Sequence, residues 1–144
     1  MRTATDRTGE RGAVIVESAL TLLVLLLLIF GLFEAGRMMS VEQVLTNAAR
    51  EGARLSVTPL VGTDTLPSTD TVKAKVNQYL SSVNMSGATI TVTQNAPCTG
   101  AGCDSGMVMS NVTVSLPYTF LALPFMNISF TMTGTAVMRN ETSS

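Results

Sequence analysis

Ala13-Val14-Ile15-Val16-Glu17-Ser18-Ala19-Leu20-Thr21-Leu22-Leu23-Val24-Leu25-Leu26-Leu27-Leu28-Ile29-Phe30-Gly31-Leu32-Phe33 is an apolar run broken by one carboxylate, Glu17. At roughly 1.5 Å rise per residue the run makes a helix of about 31 Å, enough to cross a hydrocarbon core. It therefore reads as a transmembrane helix over residues 13–33. An acidic side chain near the middle of such a helix costs on the order of 2.5–3.5 kcal/mol on insertion scales, and one near the end costs less. Glu17 sits near the end and asks for a partner.

Gly12 immediately precedes the run, so that Ala13 is the first residue after the glycine and Glu17 the fifth. This spacing suggests a processing site. Cleavage between Gly12 and Ala13 would create an α-amino group with an ordinary pKa of about 8, mostly cationic at neutral pH. Within one helix the amine and the Glu17 carboxylate lie about 6 Å apart along the axis. In a staggered bundle the carboxylate of one subunit can meet the amine of its neighbour and set the register of assembly.

The run Arg11-Gly12-Ala13-Val14-Ile15-Val16-Glu17, the apolar helix, and then Phe33-Glu34-Ala35-Gly36-Arg37 and Thr46-Asn47-Ala48-Ala49-Arg50-Glu51-Gly52-Ala53-Arg54 resemble the TadE-like family of pilus-assembly pseudopilins. The resemblance runs from about Arg11 to Val57 and rests on the combination of these blocks. It implies a small non-catalytic protein, processed by a prepilin peptidase, that serves biogenesis of the tight-adherence (Flp) type IV pilus in bacteria. The implied partners are the peptidase, other pilin or pseudopilin subunits, the inner-membrane assembly machinery and membrane lipid. Ser18 departs from the pattern, because family members usually carry an aromatic residue after the glutamate.

Composition bounds the remainder. A chain of 144 residues holds one membrane segment and one small domain. The net charge is −1 and the nine basic residues are scattered, which leaves no electrostatic footprint for nucleic acid. There is no histidine, and two cysteines are too few for a four-thiolate zinc site. No metal or other cofactor is expected. Without histidine the common nucleophile–base pairing is missing, and no phosphate-cradling glycine loop follows a strand, so the chain is not expected to be an enzyme.

Arg2, Arg7 and Arg11 outweigh Asp6 and Glu10 ahead of the helix. That bias favours a cytoplasmic N-terminus and places the bulk of the chain in the periplasm, anchored in the inner membrane. An ordinary secretory signal would end at a small-x-small site, which Gly31-Leu32-Phe33-Glu34 does not offer. Positions within the pilus and at its base both remain open. So does a second reading, an uncleaved single-pass anchor that displays a partner-binding domain.

The expected organisation is a leader at 1–12, the membrane helix at 13–33, a helical stem at 34–58 and a small α+β periplasmic domain at 59–144. In the stem, Val41, Val44, Leu45, Ala48, Gly52 and Leu55 form one stripe, whereas Arg37, Glu42, Arg50, Glu51 and Arg54 mark solvated faces. Glu34 and Arg37 are spaced for a weak surface pair. The small residues Ala48, Ala49, Gly52 and Ala53 allow close approach, either by the protein's own domain or by another subunit. Thr58-Pro59 ends the stem. Residues 60–70 read as a loop. A second amphipathic helix follows over 71–83, capped by Thr69 or Asp70 and left at Asn84 and Gly87.

Period-two alternation then marks strands at Ala88 to Thr93, Val108 to Leu116 and Ile128 to Met138. One apolar face on each predicts a three-stranded antiparallel sheet packed on both helices, a pilin-like α+β fold. Pro117 and Pro124 bracket Tyr118 to Leu123, which is expected to be a connection. Cys98 and Cys103 flank a short loop, and an oxidising periplasm predicts a disulfide worth about 2 kcal/mol. Redox motifs place two residues between the cysteines, so a redox role does not fit. The sequons at Asn84, Asn111, Asn127 and Asn140 are read as incidental turn and strand-edge residues.

Overall fold

A computed structural model describes residues 6–62, 65–99, 103, 106–120 and 129–140, with side chains from Gly12 onward. The first element is one continuous helix, α1, Asp6–Val57. No proline interrupts it, and Thr58-Pro59 stops it as expected. The second helix, α2, spans Thr69–Ser82. Three strands follow: β1 (Thr89–Pro97), β2 (Val108–Thr119) and β3 (Ser129–Arg139). They form an antiparallel sheet in the order β1-β2-β3. The fold is α+β.

One face of the sheet meets both helices. Along α1 the apolar stripe buries Val41, Leu45, Ala48, Ala49, Ala53 and Val57, and α2 contributes Val72, Val76 and Leu80. Val112, Val114 and Tyr118 of β2 and Met132 and Ala136 of β3 close the core from below. The opposite face carries Thr91, Thr113 and Thr135 in one row, and Thr89, Ser115 and Thr133 in the next. Threonine suits this half-solvated surface because its branched side chain fits the pleat and its hydroxyl stays wet.

Two glycines permit the close approach of these layers. A Cβ on Gly134 would lie 2.6 Å from the Leu45 carbonyl oxygen and equally near the Thr46 nitrogen, so β3 touches the α1 backbone there. A Cβ on Gly52 would lie 2.6 Å from a Val76 methyl and 3.1 Å from a Val112 methyl. Ala48, Ala49 and Ala53 surround Gly52 with no exposed surface, so this small-residue patch is covered by the chain's own α2 and sheet.

Several sequence expectations need correction. Ser68, not Thr69 or Asp70, caps α2: its hydroxyl accepts from the Thr71 backbone N–H, leaving Thr69 as the first helical residue. β1 runs on to Pro97 by way of an irregularity between Thr93 and Ala96, where Asn95 takes φ 56°. Gln94 within that bulge donates to the Ser56 and Pro67 carbonyls and ties β1 to the end of α1.

The expected connection after Pro117 is in part strand. β2 continues to Thr119, and Pro117 pairs with Thr131. A proline is tolerated in this middle strand because β1 pairs with β2 only as far as Ser115. Beyond that point β2 is an edge, and its missing N–H costs no ladder bond. The rest of that connection, residues 121–128, and the loop residues 63–64 lie outside the described residues, as does Asn127.

Candidate functional site: the exposed helix and its latch to the sheet

From Gly12 to Phe33 every residue of α1 is exposed. Leu20, Leu22, Leu23, Leu25, Leu27, Leu28, Ile29 and Phe30 each leave half or more of their surface open. A soluble protein does not expose so continuous an apolar surface, because leaving each such side chain wet forfeits about 1.5–3 kcal/mol. Among the described residues, one helix is long and apolar enough to cross a membrane, and none of its apolar window is buried. The observation fits a single-pass membrane anchor.

Glu17 projects from this exposed part of α1, with Thr21 one turn on donating its hydroxyl to the Glu17 carbonyl at 2.9 Å. Among the described residues none pairs with the Glu17 carboxylate. Gly12 and Ala13 lie on the same helix, and nothing approaches within 4 Å of the position a Gly12 Cβ would take. Gly12, Ala13 and Glu17 thus lie on one exposed stretch of helix, and among the described residues none of them has a side-chain partner.

At the far end of the apolar run the situation reverses. Glu34 is only 5% exposed. Its Oε1 accepts from the Tyr118 hydroxyl at 2.5 Å and from Arg37 Nη1 at 3.1 Å. The Arg37 guanidinium lies 4.6 Å from the Tyr118 ring centroid and donates from Nη2 to the Thr119 carbonyl at 3.2 Å. Tyr118 in turn packs on Phe120 and Phe130, with ring centroids 5.9 and 5.4 Å away. Burial, reinforced by the hydrogen bond to Glu34, raises the Tyr118 phenol above its ordinary range and keeps it a donor.

This latch fastens β2 to α1 one residue past the apolar run. The weak surface pair expected of Glu34 and Arg37 is therefore a correction: the ion pair exists, but Tyr118 covers the carboxylate and makes it a buried, charge-assisted contact. Sequence reasoning missed Tyr118 because a hydrogen bond across 84 positions leaves no local pattern. The one available signal was Glu34 itself, a carboxylate at the edge of a membrane span.

Cys98 and Cys103 form a disulfide, with Cα atoms 5.6 Å apart, at the turn from β1 to β2. Both lie far along the chain from the exposed helix. Among the described residues, no three His, Cys, Asp or Glu gather closely enough to hold a metal ion. A depression of about 650 Å³ between α1 and α2 is lined by residues that include Arg50, Arg54, Lys75 and Tyr79. It is an open, charged surface, and Arg54 there is engaged by Glu51 at 3.2 Å.

The sequence relationship now has a structural frame. Residues 12–54 match the family model of TadE-like proteins. No curated protein and no solved structure matches the chain. The matched TadE-like segment begins at Gly12, takes in Glu17, the whole exposed span and the Glu34–Arg37 latch, and ends three residues before α1 does. It coincides with the bare helix and its packed stem. The sheet lies outside it.

Proposed function

We propose that this protein is a membrane-anchored, non-catalytic component of tight-adherence pilus biogenesis, processed after Gly12 and assembled through its exposed helix. The TadE-like match over that helix carries the reading. A pilus-associated role accounts for a feature no isolated soluble domain would keep, an apolar helix open on all sides with a carboxylate near its start.

In this reading a prepilin peptidase cuts between Gly12 and Ala13 at the cytoplasmic face of the inner membrane. Glycine lowers helix stability by about 1 kcal/mol relative to alanine, which eases local unwinding of α1 at the scissile bond. The new α-amino group of one subunit then pairs with Glu17 of a neighbouring pilin or pseudopilin in the apolar phase. Low dielectric makes such a pair specific, because either charge left alone is heavily penalised.

The deciding test is the intact mass of the full chain from membranes, with and without co-expressed prepilin peptidase. Loss of Met1 to Gly12 only when the peptidase is present is the expected result. An unprocessed chain under both conditions would refute processing and leave an uncleaved anchor. For Glu17, the variant Glu17→Val should insert as well as wild type and fail to co-purify with partner pilins. Normal assembly by that variant would defeat the pairing.

A further inference from the structure

We infer that the last residues of β2 and the first of β3, at the level of Glu34, reach the outer face of the bilayer beside α1, with Phe120 and Phe130 as their contacts with lipid. The inference goes beyond the proposed pilus role and rests on one part of it, that α1 spans the membrane.

The direction of β2 relative to α1 sets the geometry. Gly52 of α1 lies against Val112, and Leu45 lies against Gly134, the partner of Val114. Further toward the membrane, Glu34 meets Tyr118. As the β2 numbers rise, the α1 numbers fall, so β2 runs down the helix toward the apolar span and β3 returns from it. The level of Glu34 is the end of that span, since Leu32 and Phe33 directly before it are 73% and 67% exposed.

Phe120 lies two residues beyond Tyr118, which at about 3.3 Å per strand residue carries it some 6–7 Å further toward the membrane. On α1 that distance is about four residues, at roughly 1.5 Å each, and reaches the neighbourhood of Phe30. Phe130 pairs directly with Tyr118, and its ring lies 5.7 Å from that of Phe120. Both share the helix-facing side of the sheet with Val114 and Met132, yet they lie past the covered core. Phe120 is half-buried and Phe130 remains 38% exposed.

A large aromatic side chain left open at this height is costly in water and favourable in the interfacial zone of a bilayer. Tyrosine and tryptophan rings concentrate in this zone and phenylalanine faces its acyl boundary, often beside an arginine whose charged head stays in the wet layer. Arg37 occupies that position, over the Tyr118 ring. Phe120 and Phe130 thus lie level with the end of the exposed span, so the occupant with matching chemistry is the bilayer that covers Phe30 and Leu32.

The chain contains no tryptophan, so single-tryptophan variants report depth without background. Phe120→Trp, Phe130→Trp, Leu25→Trp within the span and Val137→Trp, an exposed control further along β3, are made in the full chain. Each is placed in phosphatidylcholine nanodiscs with and without bromine on the acyl chains, and circular dichroism verifies that the domain is folded. The expected result is strong quenching at Leu25→Trp and clear quenching with blue-shifted emission at Phe120→Trp and Phe130→Trp. Val137→Trp should show none.

Quenching at Leu25→Trp with Phe120→Trp and Phe130→Trp indistinguishable from Val137→Trp would overturn the inference and leave the membrane span standing. Equal quenching at all domain positions would overturn it too, because the sheet would then lie flat on the lipid. An unquenched Leu25→Trp would remove the span and the inference together. Two reporter positions guard against the loss of either variant by misfolding.

Discussion

Gly134→Ala should loosen the whole domain from its stem. The new Cβ would lie 2.6 Å from the Leu45 carbonyl oxygen and the Thr46 nitrogen, where ordinary contact needs about 3.5 Å. These are backbone atoms in the middle of α1, so no side chain can rotate away. The helix and β3 must separate by about 1 Å, and a gap of that size forfeits roughly a quarter to a half of the local dispersion energy. Overpacking of this kind costs about 1–3 kcal/mol, against which the stiffer unfolded chain returns about 0.4–1 kcal/mol. A net loss of about 2 kcal/mol would lower Tm by roughly 8–16 °C for a domain of this size.

Gly52→Ala is the matched comparison. Its Cβ would meet methyl groups of Val76 and Val112, which can yield, and the substitution gains about 1 kcal/mol of helix propensity. Its expected net effect is within about 1 kcal/mol of zero. Both variants are measured as full chains in micelles by thermal unfolding, following the near-ultraviolet tyrosine signal, since Tyr118 reports docking of β2 on α1. Gly134→Ala as stable as wild type, or less damaging than Gly52→Ala, would refute the backbone-contact argument.

Three further outcomes follow from the polar contacts. Tyr118→Phe leaves the Glu34 carboxylate without its phenolic donor and should cost about 1.5–3 kcal/mol in chemical denaturation, the range for hydrogen bonds to charged groups. Because the folded Tyr118 pKa is raised, its stabilisation is complete below the unfolded value of about 10 and lost as pH rises through the folded value. A melting series above pH 10 should therefore show a decline in wild type that Tyr118→Phe reduces. Asn140→Ala should cost about 1–3 kcal/mol in the same denaturation assay, because the amide joins the buried Ser110 hydroxyl to Asn95 at 2.7 Å each. Glu51→Gln should cost under about 1 kcal/mol. Arg54 holds the Glu51 carboxyl below its ordinary range, so that small contribution exists at neutral pH and fades as pH falls through the acid range, visible as convergence of the two melting curves.

The parts of the site that were legible beforehand are those with a local signature. Gly12, Ala13 and Glu17, the proposed processing and pairing positions, stand out through their spacing along one helix, and the stem stripe from Val41 to Gly52 repeats with helical period. The β2–β3 ladder was foreshadowed by alternation, but its length was not. Pro117 argued for a break, and it is an edge residue only because β1 begins at Thr89, opposite Ser115. Asn140 illustrates the same limit: it reads as a sequon, yet at 1% exposure its amide is used up between Ser110 and Asn95.

What the sequence by itself determined is the anchor: twenty-odd consecutive positions of apolar character force a helix that needs a lipid surround, whatever the rest of the chain does. The TadE-like match falls on the same stretch for the same reason, since its information is local. Only the tertiary structure decided how the domain is attached. Glu34 became a buried latch and Gly134 a point of backbone contact because β2 and β3, some ninety positions away, descend along α1. Such contacts depend on distance in space between segments whose own sequences carry no record of each other, and they exist only once the sheet has chosen its register on the stem.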